Sequence, residues 1–330
     1  MKNNKKDTTS DLQKISKTPL DKALRPLSFN EFPGQQSVKK KLEVFVKAAK
    51  SRKEALDHIL LSGPPGLGKT TLAHIIAHHL ESRLVSTSGP ALNKKGDLAG
   101  ILTNLKKGDT LFIDEVHRLS KDVEEYLYSA MEDFFIEIFT GEGLDTKSVQ
   151  FPLSPFTLIV ATTRVGLLKA PFRNRFGIIE RLVFYEKEDL VKILERSALL
   201  LDIKLDKNAA FEIASRSRGT PRIANRLLRR VCDYAEVKNL KLIDQKLADF
   251  ALNELEIDSL GLDFMDRKIL FWIKDKFKGG PVGIESLAAV LNEEVDTLEE
   301  VYEPFLIQEG FLQKTSRGRT ITDKAILHLK

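Results

Sequence analysis

The sequence predicts three units in a row: an α/β domain whose parallel sheet is covered by helices, a small helical bundle and a C-terminal winged helix. The length of 330 residues is about twice that of a usual domain, which favours more than one domain. Short apolar runs alternate with helical patterns up to residue 186, and this alternation is typical of a parallel sheet. Helical patterns and one basic hairpin make up the remainder.

The α/β domain is expected over residues 20–186, after a disordered tail at residues 1–19. The tail is polar and charged, and its apolar anchors Leu12 and Ile15 are too few to offset the entropy of ordering. A helix is expected from Ser37, because apolar residues from Val38 onward follow helical spacing. Four apolar runs predict strands and two helical patterns lie between them, with the strands at 58–62, 110–113, 156–161 and 182–185 and the helices at 70–80 and 121–132.

The helical bundle is expected over residues 187–257 and the winged helix over residues 258–330. In the bundle, Thr220 is a cap candidate and Pro221 suits the first position of a helix. In the winged helix, Asp296 is the cap candidate of the third helix. The expected helices lie at 190–201, 208–215 and 221–237, then at 263–277, 284–291 and 296–308, and two short strands follow within 311–322 around a turn at 316–318.

The composition is that of a soluble globular protein, with 42% hydrophobic and 30% charged residues. The single cysteine, Cys232, excludes an intramolecular disulfide and a thiolate zinc site, so we expect a buried, inert thiol. The sequence lacks both an apolar run of about 18 residues and the apolar core of a signal peptide. These observations predict a cytoplasmic protein with no membrane partner. The net charge of +5 permits an anionic partner.

A phosphate-binding loop is the strongest motif in the sequence. Residues 63–70 read GPPGLGKT, which matches G-x-x-x-x-G-K-[ST] between a predicted strand and a predicted helix. In such a loop, backbone N–H groups surround the β-phosphate of a nucleotide. We expect Lys69 to reach the β- and γ-phosphate oxygens and the Thr70 hydroxyl to bind Mg²⁺.

Polar residues follow two of the predicted strands. Asp114 and Glu115 end the strand at 110–113, where Asp114 can reach a metal ion while Glu115 polarises the attacking water. Thr162 and Thr163 end the strand at 156–161, and one of these hydroxyls can hydrogen-bond the water or the γ-phosphate. His117 fits a structural contact and nucleotide sensing equally well.

Three arginines are candidates for stabilising the phosphoryl group during its transfer: Arg173, Arg175 and Arg222. An arginine of this kind can act from a neighbouring subunit, so that hydrolysis depends on assembly. The alternative is that these side chains are ordinary solvated surface arginines.

Three basic residues cluster within six positions of the predicted wing, and only Asp323 offsets their charge locally in the sequence. Such a wing can bind the phosphates of duplex DNA without reading the bases. The alternative is a solvated hairpin whose charges protect a sheet edge. The residues are Lys314, Arg317 and Arg319.

Longer strings resemble the AAA+ ATPases and, more narrowly, the RuvB family of Holliday-junction branch-migration motors. The resemblance extends over nearly all of the chain from residue 24 onward. The strings in the first two units are GPPGLGKTTLA at 63–73, IDEVHRL at 113–119, AMEDF at 130–134, FTLIVATTRVGLL at 156–168, NRFGI at 174–178 and GTPRIAN at 219–225. Those in the third unit are GPVGIESLAA at 280–289, VYEPFLIQEGFL at 301–312 and RGR at 317–319.

The resemblance implies an AAA+ core with a helical lid and a winged helix, and it assigns a role to individual residues. Thr163 is similar to the first sensor, Arg175 to the arginine finger given to a neighbouring subunit, and Arg222 to the second sensor. Lys314 stands where the family usually has arginine. ATP or ADP with Mg²⁺ is then held by a pocket that comprises Leu24, Arg25, Gly66, Lys69, Thr70, Thr71, Glu132, Asp133, Phe134, Tyr185 and Arg222, with Thr70 and Asp114 at the metal.

The resemblance also implies a function: an ATP-dependent DNA translocase or helicase that drives branch migration in homologous recombination, DNA repair and the SOS response. Its partners are then duplex DNA at Holliday junctions, RuvA, the RuvC resolvase and other copies of the chain in a hexameric ring. Residues 136–151 match the hairpin that engages RuvA, although their sequence diverges from the usual pattern. The alternatives are a replication initiator or clamp loader, and a transcription regulator with a vestigial nucleotide site.

Overall fold

The computed structural model describes residues 24–140 and 147–329. The predicted tail at residues 1–19 and the middle of the 136–151 segment lie outside the described residues. Within the described part of the chain, no helix is both long enough and apolar enough to cross a membrane.

A five-stranded parallel sheet forms the centre of the first unit, in the order β2-β3-β6-β1-β7. All residues of β1 and β6 are buried, because central strands are covered on both faces. Side chains of successive residues point to opposite faces, so Leu60 and Leu61 enter two different hydrophobic clusters. The strands are β1 (Ile59–Ser62), β2 (Leu84–Ser88), β3 (Thr110–Asp114), β6 (Thr157–Thr162) and β7 (Ile178–Arg181).

The predicted strand at 182–185 is wrong, because β7 ends at Arg181. β7 pairs only with β1, and its side chains alternate between buried and exposed, so its sequence lacks a continuous apolar run. The chain then crosses the end of the sheet: the Leu182 N–H donates to Ser62 O at 2.8 Å, and the Tyr185 N–H donates to Gly219 O at 2.8 Å.

Helices cover both faces of the sheet, and a two-stranded antiparallel hairpin extends from one of them. The helices are α1 (Gln36–Arg52), α2 (Lys69–His79), α3 (Lys95–Leu102), α4 (Lys121–Glu132) and α5 (Ala170–Arg173), and the hairpin strands are β4 (Phe135–Thr140) and β5 (Lys147–Pro152).

The second unit is a helical bundle with one helix more than predicted. Its apolar residues join the cluster on one face of the sheet, so the bundle packs directly on the first unit. Pro221 begins the third helix as predicted, but the Thr220 hydroxyl donates to Arg218 O at 3.1 Å and does not cap the helix. The elements are α6 (Lys187–Leu200), β8 (Lys204–Leu205), α7 (Lys207–Ser215), α8 (Pro221–Val237), β9 (Leu242–Ile243) and α9 (Gln245–Glu254).

The third unit has its own hydrophobic cluster, built around residues such as Leu270, Leu306 and Phe311. The predicted cap Asp296 lies inside its helix, one residue after the first helical position Val295. Its elements are α10 (Phe264–Phe271) with a π-helical turn (Trp272–Lys276), α11 (Ile284–Leu291), α12 (Val295–Thr297) with a π-helical turn (Leu298–Tyr302), α13 (Glu303–Gln308), β10 (Leu312–Thr315), β11 (Gly318–Ile321) and α14 (Asp323–His328). Helices followed by a β10-β11 wing confirm the predicted winged helix.

Candidate functional site

The phosphate loop lies between β1 and α2 in a conformation that depends on glycine. Gly66 has a φ of +81°, and a Cβ at this position would lie 2.7 Å from the Thr220 methyl group. Gly68 has a φ of +101°, and its Cβ would lie 2.9 Å from the ring of Phe32. Glycine therefore allows both the turn and the close approach of the second unit.

Lys69 is buried at the start of α2. Its Nζ donates to Gly63 O at 2.6 Å and to Pro64 O at 2.8 Å. Burial lowers the pKa of Lys69 to about 8, against an opposing effect of the Asp114 carboxylate. A phosphate near this ammonium group would raise its pKa again, because an anion stabilises the charged form.

The Thr70 hydroxyl and the two strand-end carboxylates lie together beside the loop. Thr70 Oγ1 donates to Asp114 Oδ2 at 3.3 Å, and the Glu115 N–H donates to Asp114 Oδ1 at 3.0 Å. Glu115 has a φ of +51°, which turns the chain sharply after β3. Hard oxygen donors of this kind suit Mg²⁺, which takes its other ligands from phosphates and water. The described residues contain no cluster of three or more His, Cys, Asp or Glu side chains that could hold a metal alone.

Thr162 is the last residue of β6 and Thr163 follows it, and their side chains have different surroundings. Thr163 lines the cavity beside the loop, and its hydroxyl is buried with no hydrogen-bond partner among the described residues. Thr162 is buried, and its Oγ1 lies 3.1 Å from His117 Nδ1 and accepts a hydrogen bond from the Arg164 N–H. Thr163 is therefore the threonine that borders the cavity, whereas Thr162 and His117 contact each other.

A cavity of about 1020 Å³ extends from the loop along the second unit. Tyr185 forms part of its wall and donates its hydroxyl to Leu67 O at 3.1 Å. The Arg222 N–H donates to Gly66 O at 3.4 Å, so the second unit closes over the loop. The predicted site residues that line this cavity are Leu24, Arg25, Gly66, Lys69, Thr70, Thr71, Asp114, Glu115, Thr163, Tyr185 and Arg222.

Four predicted site residues lie elsewhere, around the end of α4. Arg175 Nη2 donates to Glu132 Oε2 at 3.0 Å, and its guanidinium stacks 4.1 Å from the ring centroid of Tyr128. Phe134 packs against Phe156, with ring centroids 5.8 Å apart. Glu132, Asp133 and Phe134, which the resemblance assigns to the pocket, are not among the residues that line this cavity and lie beside Arg175 instead.

Several cavity residues are not among the predicted site residues. Arg196 of α6 donates from Nη1 to Leu24 O at 2.7 Å and so holds one wall in place. Glu300, Tyr302 and Phe305 reach the cavity from the third unit. Only a contact between distant segments brings these side chains to the site.

The wing carries its three basic residues in different surroundings. Arg317 is exposed at the turn, and Lys314 is half-exposed with its Nζ 3.1 Å from Glu299 Oε1. The Arg319 side chain is 7% exposed, and its Nη2 donates to Glu299 at 3.0 Å and to Glu303 at 3.1 Å. In this structure Arg319 is thus buried and paired with two carboxylates, whereas Lys314 and Arg317 remain exposed.

A phosphate loop follows the interior strand β1, a threonine follows the adjacent strand β6, and two carboxylates stand at the end of β3, on the far side of β6. Together with a separate helical lid, this arrangement defines the AAA+ class of P-loop ATPases. Three family models match successive parts of the chain: the Holliday junction DNA helicase RuvB P-loop domain at residues 24–182, the RuvB AAA lid domain at 185–258 and the RuvB C-terminal winged helix domain at 259–330. The chain belongs to the RuvB family.

Similar proteins match the chain over nearly its whole length. The Holliday junction branch migration complex subunit RuvB of Bdellovibrio bacteriovorus is 63% identical, and the match covers 92% of each chain. The subunit of the same name from Flavobacterium johnsoniae is 60% identical over 94% of this chain and 91% of its own. The structure described as the Thermotoga maritima RuvB Holliday junction branch migration motor has a TM-score of 0.86 and 54% identity, covering 93% of this chain and 98% of that one.

Proposed function

We propose that the protein is an ATP-hydrolysing motor that moves duplex DNA through Holliday junctions. The observation that carries this proposal is that Lys69, Thr70, Asp114, Glu115 and Thr163 line one cavity, in a chain that also has a winged helix. The family membership supports the same function. We also propose that the units at 20–186, 187–257 and 258–330 are the ATPase core, the lid and the DNA-binding domain.

ATP binding begins at the loop in this mechanism. The Lys69 ammonium contacts the β- and γ-phosphate oxygens, and Thr71 and the N–H groups at the start of α2 hold the β-phosphate. Leu24, Arg25 and Tyr185 enclose the base, and Arg222 of the lid reaches the phosphates. Thr70 and Asp114 would hold Mg²⁺, which when bound neutralises charge on the phosphate oxygens.

Hydrolysis then needs a water molecule aligned with the γ-phosphate. The Glu115 carboxylate accepts a hydrogen bond from this water and makes its oxygen more nucleophilic. The Thr163 hydroxyl donates to the water or to the γ-phosphate. This would satisfy a buried hydroxyl that has no hydrogen-bond partner among residues 24–140 and 147–329. Lys69 stabilises the charge that develops on the phosphoryl oxygens.

We propose that Arg175 acts on the cavity of a neighbouring subunit in a hexameric ring. Its position outside its own cavity, paired with Glu132, supports an action in trans. Asp133 and Phe134 would join the same intersubunit surface. In a ring where each site receives an arginine from the next subunit, hydrolysis at one site can be coupled to the state of its neighbour.

We further propose that the wing binds DNA through Arg317 and Lys314 and that the β4-β5 hairpin binds RuvA. The hairpin exposes two large apolar side chains, Val149 and Phe151, whose exposed fractions are 52% and 41%. Exposed apolar residues on a projecting hairpin are suited to a protein partner. RuvC would join the complex that resolves the junction, and this DNA metabolism takes place in the cytoplasm.

An ATPase assay combined with junction dissociation tests the proposal. The full-length protein should hydrolyse ATP, RuvA and junction DNA together should stimulate hydrolysis, and labelled junctions should separate on a gel. Lys69→Ala is the matched control and should lose both activities. Hydrolysis that junctions do not stimulate, with no junction separation, would favour a replication initiator or clamp loader.

A further inference from the structure

A row of carboxylates in the third unit lies beside Arg164, and one of them, Glu300, lines the nucleotide cavity. Arg164 Nε lies 2.7 Å from Glu300 Oε1, and Arg164 Nη2 lies 3.0 Å from Asp296 Oδ1 and 3.9 Å from Glu299 Oε2. The Arg164 side chain is 26% exposed, which reduces the screening of these pairs by solvent. We call Asp296, Glu299, Glu300 and Glu303 the acidic row.

Arg164 belongs to the same short segment as the proposed sensor. It directly follows Thr163, which lines the cavity and whose hydroxyl is buried. Its N–H donates to Thr162 Oγ1 at 3.0 Å, and this oxygen also bonds His117, just after the Asp114-Glu115 pair. A shift of this segment toward a γ-phosphate would therefore move the Arg164 guanidinium as well.

The opposite side of the acidic row holds the wing. Glu299 Oε1 lies 3.1 Å from Lys314 Nζ and 3.0 Å from Arg319 Nη2, and Glu303 also pairs with Arg319. Glu299 is thus shared between Arg164 in the ATPase core and the two basic side chains of the wing. The ion pairs form a continuous path from the nucleotide cavity to the wing.

The charge on the nucleotide would act on this path. Glu300 lines the cavity, and its charge reaches both Lys69 and His117. A triphosphate brings more negative charge than a diphosphate, and its additional phosphoryl group would lie near Lys69 and Thr163. It would repel the Glu300 carboxylate and so weaken its pair with the Arg164 guanidinium.

We propose that Arg164 is a positioning residue that transmits the nucleotide state to the wing: a triphosphate loosens its pairs with the acidic row and releases the winged helix, and a diphosphate restores them. The coupling rests on the proposed binding of ATP and DNA. It assigns a role in the motor to a residue that touches neither ligand.

Duplex affinity in two nucleotide states tests the coupling. We expect the wild-type protein to bind a labelled duplex with affinities that differ by about fivefold or more between a slowly hydrolysed ATP analogue and ADP. The ratio of the two duplex affinities should fall to near one in Arg164→Gln. It should also fall to near one in Glu300→Gln, a variant that removes a partner of Arg164 but keeps Arg164 itself. Arg164→Lys should retain part of the ratio, because it keeps the charge without the guanidinium fork.

The matched control is Arg52→Gln, since Arg52 forms an exposed pair with Glu54 at 2.8 Å, remote from the cavity lining. This variant should keep the wild-type ratio. A ratio that persists unchanged in folded Arg164→Gln or Glu300→Gln would overturn the proposal.

The distance between the ATPase core and the wing reports the release of the winged helix directly. Spin labels at Lys121→Cys in the core and Gln313→Cys in the wing, both exposed positions, are introduced in a Cys232→Ser background. The distance distribution should be narrow with ADP and broad with the ATP analogue, and broad in both states after Arg164→Gln. Identical distributions in the wild-type background with both nucleotides bound would overturn the proposal.

The two proposals fail in different ways. If the wild-type protein binds neither nucleotide nor duplex, the proposed function fails and the coupling with it. If it binds both, with the same duplex affinity in the two nucleotide states, the coupling alone is wrong and the proposed motor stands.

Discussion

Residues at the cavity differ in burial and in hydrogen bonding, and these differences affect the part that each can take in binding or hydrolysis. Lys69 is buried and bonded to loop carbonyls, whereas Glu115 lies on a sharp turn where its carboxylate remains accessible. The Thr163 hydroxyl is buried and has no hydrogen-bond partner in the described part of the chain. These differences lead to separate predictions for binding and for turnover.

Glu115→Gln should keep ATP binding and lose turnover. The amide is a poor acceptor for the proton of the attacking water, and removal of a general base costs roughly 10²- to 10⁴-fold in rate. Steady-state hydrolysis and equilibrium nucleotide binding measure the two effects separately. Glu125→Gln is the control, because this exposed α4 carboxylate pairs with Lys121 away from the cavity. Normal hydrolysis by Glu115→Gln would remove Glu115 from the mechanism.

Nucleotide binding should take up protons above neutral pH. The pKa of Lys69 is lowered to about 8, so the free protein loses this proton as the pH rises through 8, while the bound phosphates favour the charged form. Affinity should therefore fall from pH 7.5 to 9. Calorimetry at pH 8.5 in buffers of different ionisation enthalpy measures the uptake. Lys69→Arg stays charged and should show less uptake; equal uptake by both proteins would contradict this assignment.

The burial of a strand determines whether an apolar run in the sequence predicts it. The central strands were predicted from continuous apolar runs, because both of their faces are buried. The edge strands β2 and β7 were missed or displaced, since half-exposed strands carry no such run. The sequence predicts the wing hairpin, but it does not predict the ion pairs between the hairpin and the acidic row of the preceding helices.

The two wing arginines should behave differently. Arg317→Ala removes an exposed charge, so duplex affinity should fall and the slope of log affinity against log salt should flatten by about 0.9, without loss of stability. Arg319→Ala leaves Glu303 buried and without its guanidinium, which costs about 3 kcal/mol of folding free energy. Anisotropy titrations at several salt concentrations and thermal unfolding distinguish the two. A stable Arg319→Ala with a flattened salt slope would restore Arg319 as a phosphate contact.

The whole molecule depends on contacts between units and between copies of the chain. The lid shares its hydrophobic cluster with the sheet, and the acidic row connects the winged helix to Arg164. Arg175 lies outside its own cavity, so the proposed active site is complete only in an assembly.

Mixing two inactive variants tests this assembly. Arg175→Ala has an intact loop, and Lys69→Ala has an intact arginine, so mixed interfaces should combine one working part from each subunit and regain hydrolysis. The measurement is the ATPase rate against the mixing ratio, with each variant alone as control. Mixtures that co-assemble and stay inactive would show that Arg175 does not act in trans.

The sequence by itself determined the phosphate loop, the carboxylates after β3 and the threonines after β6. Each of these groups lies next to its own strand, and the carboxyl ends of neighbouring parallel strands meet at one edge of the sheet. Only the tertiary structure decided that Arg319 is neutralised, that Glu132 lies with Arg175 and that Glu300 enters the cavity. These outcomes depend on contacts between distant segments, such as the 132 positions between Arg164 and Asp296, and no local pattern encodes them.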